Sequence, residues 1–422
     1  MNDEFETRLN ACSLEVLHSN QPFETDGIDE TSKSSYSSSS LPLIIGCYQL
    51  NETKKDDDTA CQEAGEDEDG STQPQESTRS GELILFDASQ ETVSGGGGGD
   101  GGDSKNGFQF GEPIQYLKTG SGILDGKWFQ DSQLLYRKDR SSYLYATACA
   151  SGSIEIYSLD HHGDENIRTK SLQLVGSSDS EASDGLALSL DWDKCKQEGD
   201  VTRIVSSYSD GSLAIHNVQP VENQLVLEES HRWDAHTLFG CPSEVWTTCF
   251  ATNKHYNTYK DVIISGGDDC KMKVWDIRCY SKPMHIKGDR EFDAGVTAVT
   301  YHPTQEHIFG VGSYDENVRI WDMRFLSAKS PPMKKIHVGG GVWRVKWHPE
   351  EKSKLLIGAM HGGCRILNVG ELNDEKDSSI EIVQEFTQHK SMAYGADWLF
   401  CSQTKNDAAA SCSFYDRQAF IW

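Results

Sequence analysis

Residue 361 is a histidine where the equivalent positions of an internal repeat carry aspartate. A shift of 46 residues lays 265–276 (SGGDDCKMKVWD) on 312–322 (GSYDENVRIWD), with Asp269 under Asp315 and Trp275 under Trp321. The same shift downstream brings in 358–368 (GAMHGGCRILN), and His361 falls under Asp315. Asp210 and Asp416 hold that place in two further copies. An imidazole titrates near neutrality, so a histidine replacing a structural acid is a candidate general acid or base. The alternative is a solvent-facing histidine beside two glycines. Tyr314, Trp343, Arg344, Tyr394 and Tyr415 lie near the equivalent turns and strand starts. Taken singly, such aromatics plug a channel or pack between repeats. Taken together they form an aromatic box, which suits a quaternary ammonium ligand.

These side chains need a frame that brings the repeats to a common edge. Each copy reads as a strand end, a tight turn and a second strand closed by Trp-Asp or its replacement. A fixed period of this length with that ending is the mark of a WD40 propeller, in which each repeat supplies one four-stranded blade. First strands are expected at 123–128, 186–192, 245–250, 296–301, 342–347 and 394–398, each ending in an aromatic. With 43–50 and 81–89 in blade one, this predicts an all-β, seven-bladed propeller. The last blade, ending at Trp422, lacks a fourth strand, and the alternating segment 11–18 is expected to supply it and leave no open edge. The turns between second and third strands then share a rim with the loops that enter each first strand, which is where ligands dock. In blade four His236, Ser265, Asp269 and Trp275 occupy the positions of the WD40 structural tetrad, a buried hydrogen-bonded set with a scaffold role.

Seven blades of about 40 to 45 residues use about 300 residues in one closed ring, so the 422 residues are read as a single propeller with insertions. Two are expected to be disordered: an acidic one at 51–80, with ten Asp/Glu against three Lys/Arg, and a glycine-rich one at 91–107. The net charge of -27 disfavours nucleic acid, whose backbone calls for a basic face. No apolar run approaches the length of a membrane span, and the N-terminus lacks the pattern of a signal peptide. A cytoplasmic monomer is therefore expected, with no membrane partner. The 12 cysteines form no CxxC pair and no Cys/His cluster, so no metal or cofactor is expected. No GxSxG, HExxH, Walker or dinucleotide motif is present.

LALSLDW (186–192), GGVWRVKWHP (340–349), MHGGCRILN (360–368) and YGADW (394–398), together with the less specific SGGDD and GSYDE, carry a family resemblance. Over about 43–398 the sequence resembles the WD-repeat diphthine methyl ester hydrolases of diphthamide biosynthesis. That resemblance implies hydrolysis of the methyl ester on a modified histidine of elongation factor 2, a substrate with a trimethylammonium group, and it agrees with an aromatic box. It assigns no nucleophile. For such chemistry His361 is the expected base for water, Asp315 or Asp268 the group that orients it, and Arg344 or the N–H groups of Gly339, Gly340 and Gly341 the oxyanion donors.

A different class stays open beside this one. Trp275-Asp276-Ile277-Arg278 and Trp321-Asp322-Met323-Arg324 look like the docking box of WD40 substrate receptors for cullin-type ubiquitin ligases. A receptor of that kind is an adaptor without catalysis.

Overall fold

A computed structural model describes residues 3–18, 40–51, 78–90, 107–129, 143–162, 169–178, 185–194, 201–288, 290–327, 329–372, 379–402 and 404–422. They form an all-β propeller of seven blades, each an antiparallel sheet, six of them built from consecutive strands. The first strands run Asn10–Val16, Ile123–Phe129, Ala187–Trp192, Thr247–Phe250, Val296–Tyr301, Arg344–Trp347 and Ala393–Cys401. Their residues are buried at nearly every position because each blade is covered on both faces by its neighbours. The core accordingly lies between blades, as where Cys249, Ile264 and Val274 of blade four meet Val299, Phe309 and Trp321 of blade five.

The ring is closed by an N-terminal strand, but not by the expected one. Asp3–Glu6 pairs with Gln418–Ile421 of blade seven, with Phe5 opposite Ala419. The segment expected to do this, 11–18, instead supplies the innermost strand of blade one and pairs with Ser40–Asn51. Burial explains the exchange: Asn10–Val16 is apolar enough for the axis, whereas DEFE offers Phe5 alone and suits an outer edge. The strands expected to open blade one are therefore its second and third. They pair along their full length, Asn51 opposite Thr78, so 51 and 78–80 belong to strands. The rest of the expected acidic insertion, and 91–106 of the glycine-rich one, lie outside the described residues.

In blade four the imidazole of His236 donates from Nδ1 to Asp269 (2.8 Å) and accepts at Nε2 from the Ser265 hydroxyl (2.8 Å), to which Trp275 Nε1 also donates (2.9 Å). An ionised carboxylate only accepts, and that fixes the tautomer. Blade seven repeats part of the arrangement: His389 Nε2 meets Ser411 at 2.8 Å and Trp422 donates to the same oxygen at 3.0 Å, but Asp416 accepts from the Lys390 N–H at 2.7 Å and His389 Nδ1 has no partner among the described residues. Blade five departs from it. Phe292 stands in the histidine's place under the Arg319 guanidinium, and Arg319 supplies the positive partner of Asp315 at 2.6 Å.

Candidate functional site

One rim carries a connected run of aromatic rings drawn from five blades. Trp343, which precedes the first strand of blade six, lies 5.0 Å from Tyr394 of blade seven, 5.9 Å from Tyr314 of blade five and 5.6 Å from Trp246 of blade four. Tyr394 continues to Phe414 (5.2 Å), and Phe414 to Tyr48 of blade one (5.1 Å). Trp246, Tyr314, Trp343 and Tyr394 are all half-buried, which leaves ring surface open to solvent. Tyr415 sits apart from them. It is 66% exposed and touches only the edge of Phe414 among these rings.

Asp268 lies at the border of this enclosure. Its carboxylate is exposed and accepts a hydrogen bond from Trp246 Nε1 at 3.3 Å. Across Gly295 it faces Tyr314: a Cβ on that glycine would lie 2.8 Å from Asp268 Oδ1 and 3.6 Å from the tyrosine ring. Burial, and then the nearby Asp268 charge, push the Tyr314 hydroxyl above its ordinary range. The site thus presents ring faces and one negative charge, the combination that attracts an organic cation.

His361 occupies an exposed position in the turn of blade six. In blades three, four, five and seven the residue after the turn aspartate is left-handed: Gly211, Cys270, Glu316 and Arg417. Blade six spans the same length differently, with positive φ at Met360, before the histidine, and at Gly363, two residues after it. The turn of blade six thus takes its own path, with the histidine exposed on it. The 339–341 loop packs against it. A side chain on Gly340 would lie 2.8 Å from the Gly362 nitrogen, and one on Gly341 would lie 2.9 Å from the Tyr314 ring and 3.2 Å from Met360 Sδ. Among the described residues no acceptor meets the N–H of Gly340 or Gly341. Tyr314, these two amides and the turn of His361 are thereby brought to one edge.

Two expected site residues are committed elsewhere. Asp315 has 3% of its side chain exposed and accepts from both terminal nitrogens of Arg319 (3.0 and 2.6 Å), from the Asp293 N–H and from the Asn317 N–H. Its lone pairs are filled, so it does not orient His361. Arg344 leaves the rim altogether. Its guanidinium points into the channel, 3.3 Å from Asp125 and 3.4 Å from the Cys12 carbonyl oxygen. There it joins a buried network in which Lys127 bridges Glu15 (2.9 Å) and Asp125 (3.0 Å) and Lys346 bridges Glu15 and Asp397. Burial opposes ionisation of Asp125, but Lys127 and Arg344 outweigh it and hold that carboxyl at about 2. Burial pushes Asp397 up to about 6 against the pull of Lys346.

Trp246, Tyr48 and Phe414 belong to the aromatic run and were missed, since none departs from the repeat template. The signal was available in position: Trp246 and Trp343 each follow the valine that enters a first strand. His348 was also passed over. Its Nδ1 accepts from the Glu350 and Glu351 N–H groups (3.2 and 2.9 Å), and its Nε2 lies 3.4 Å from Asp407. With Glu351 and Asp407 it offers metal-ligating atoms within 4.8 Å of one another. Lys354, however, already neutralises Asp407, and one histidine nitrogen is used by the backbone. The WDxR arginines stand at the opposite ends of their strands, away from this rim. Each folds back on its own aspartate, Arg278 on Asp276 and Arg324 on Asp322, both at 2.6 Å.

The WD domain, G-beta repeat family matches residues 232–276 and 284–322. A protein of Dictyostelium discoideum named diphthine methyltransferase homolog is 35% identical over 320 residues, covering 73% of this chain and 78% of that protein. Human diphthine methyltransferase is 33% identical over 70% of this chain, and the mouse protein 32% identical over 67%. The chain spans 60% and 54% of those two proteins' own length.

Proposed function

The chain belongs to the diphthine methyltransferase family of WD-repeat proteins, and from that membership we propose that it acts in diphthamide biosynthesis by hydrolysing the methyl ester of methylated diphthine on elongation factor 2. The observation that carries this reading is the half-buried enclosure of Trp246, Tyr314, Trp343 and Tyr394 with the Asp268 carboxylate on its border. A trimethylammonium group fits such a site, because ring faces and a carboxylate attract a cation that has no hydrogen to donate. Each well-placed ring contributes about 0.5–2 kcal/mol.

With the ammonium held there, the ester carbonyl lies toward the 339–341 loop and the turn of His361. The imidazole takes a proton from water as the water oxygen bonds to the carbonyl carbon. The N–H groups of Gly340 and Gly341 receive the negative charge that forms on the carbonyl oxygen. Collapse breaks the bond to the methoxy oxygen, which departs as methanol with the proton held by His361. Ester and water become carboxylate, methanol and one proton released to solvent. Asp315 and Arg344 take no part, and Asp268 serves as counter-charge to the ammonium.

The relatives' name denotes the opposite direction, addition of a methyl group. Intact mass distinguishes the two. Purified chain incubated with methylated elongation factor 2 is expected to remove one methyl without any added methyl donor. An unchanged mass, or gain of a methyl only when a sulfonium donor is supplied, overturns the hydrolase reading.

A further inference from the structure

Between blades three and four the chain makes a feature that blades five and seven lack. From His236 to Val245, which enters the first strand, there are nine positions, against four from Phe292 to Val296 and four from His389 to Ala393. The extra residues form a two-stranded hairpin in which Thr237 pairs with Pro242 and Leu238 with Cys241. Its base is fixed: the Ser243 N–H donates to the His236 oxygen at 3.1 Å, and the His236 N–H donates to the Gly211 oxygen at 3.0 Å. Its tip is Phe239-Gly240, both left-handed, with φ of 53° and 84°.

Two costs are built into that tip. A two-residue turn with both φ values positive favours Asn-Gly, and a phenylalanine held left-handed is strained, its Cβ crowding the backbone. The ring is also 98% exposed, with Leu238 beside it at 40%. Among the described residues almost nothing covers the Phe239 ring, and a side chain on Gly240 would meet no atom within 4 Å. Strain and an uncovered aromatic at one position mark a functional contact.

Its place in the fold says what the contact is with. The hairpin runs through Glu244 into Trp246, so it rises beside the aromatic enclosure. The fully exposed charges around it are acidic, Asp234 and Asp268, while Glu244 and Lys271 are half-buried beside them. Arg232, at the hairpin's foot, is already paired with Glu229 at 2.7 Å. We propose that the 237–242 hairpin is a docking finger whose Phe239 ring enters an apolar recess, bordered by basic side chains, on the folded protein that carries the modified residue. This rests on the reading that a protein-borne ester is the substrate. The finger supplies affinity for the whole partner and leaves the chemistry to the rim.

Phe239→Asn tests it, because asparagine suits the left-handed turn and removes only the ring. Binding of full-length wild type and F239N to purified, methylated elongation factor 2 is measured by interferometry. Ester cleavage is followed on the whole factor and on a short peptide bearing the same modified histidine. The expected result is a Kd and KM for the whole factor raised at least about tenfold, with kcat and the peptide rate unchanged. Equal Kd for the two proteins overturns the finger, even where both cleave ester. Weaker binding by F239N with no cleavage of either substrate by wild type upholds the finger and removes the hydrolase reading.

Discussion

Trp246 and Trp343 meet edge to face with ring centroids 5.6 Å apart, although blade five stands between the blades that carry them. Contacts in a propeller mostly join neighbouring blades, so rings that reach past a blade must lean over the mouth of the channel. Tyr314, from the intervening blade, completes the corner at 5.9 Å from Trp343. Trp343 is the ring shared by every arm of this cluster, which makes it the most sensitive position for a cationic ligand.

Trp343→Ala is expected to weaken binding of a peptide bearing methylated diphthine by about 5- to 30-fold, the loss of one cation–π face with its packing. Trp343→Phe keeps part of the ring and loses less. Tryptophan fluorescence titration with the peptide, against a control peptide carrying an uncharged isostere in place of the ammonium, checks both. An equal loss of affinity for the two peptides would mean that the ring serves packing and not cation recognition.

His361→Ala is expected to lower kcat for ester cleavage by about 10²- to 10⁴-fold, the usual contribution of a positioned base. The side chain is exposed in its turn, so the unfolding temperature should stay within a degree or two of wild type. A fully active variant removes His361 from the mechanism. Gly340→Ala acts on the same edge by another route. Its Cβ has no room against the Gly362 nitrogen, so the amide pair and the turn must separate, and activity should fall with a measurable loss of stability.

Much of this frame was legible because the repeat is written in residues that cannot be exchanged cheaply. The strands beginning at Val296 and Ile123 fall where their alternation and final aromatic put them. Asp315 and Asp269 were found by a shift of 46 residues, but that shift compares sequence and not backbone. It placed His361 in an aspartate's position, whereas the left-handed residues at Met360 and Gly363 give that turn its own path. The direction of a side chain was less legible still. Trp343 and Arg344 are neighbours at the start of a strand, yet their side chains diverge, one to the rim and one to Asp125 in the channel. The partial second set, His389, Ser411 and Trp422 with Asp416 bonded to Lys390 instead, kept the Asp-to-Trp spacing of the first, but its histidine and serine lie closer together, and the template set on blade four does not reach it.

Blades four and five satisfy the same buried aspartate in two ways, and exchanging them is informative. His236→Phe leaves Asp269, 2% exposed, with Lys273 at 3.4 Å as its remaining charged partner. Stranding a buried carboxylate costs about 3–5 kcal/mol. Adding Lys273→Arg copies the Phe292, Arg319 and Asp315 set of blade five and is expected to restore more than half of that loss. Urea midpoints of the two variants measure it. A double variant no more stable than His236→Phe alone would show that the blade-five solution depends on more than these side chains.

The channel network gives stability a pH dependence whose sign follows from Asp397. Its folded pKa is raised from 3.8 to about 6, chiefly by burial, with Glu15 adding to the effect and Lys346 opposing it. A carboxyl raised in the folded state favours folding when protonated. That contribution is fully present below 3.8 and is lost as pH rises through about 6. Asp125 behaves oppositely, since its pKa is lowered to about 2 and its contribution is lost only in acid, as pH falls from 3.8 toward that value. Asp397 accepts backbone hydrogen bonds from Val16 and Trp398, both at 2.9 Å, and an asparagine oxygen can keep one of them. Asp397→Asn therefore shifts stability by a constant and removes the titration. The difference in unfolding free energy, wild type minus variant, should decline from about pH 4 to pH 6 and level off above it. Only the slope is diagnostic, and a flat difference across that window would mean that Asp397 stays ionised beside Lys346.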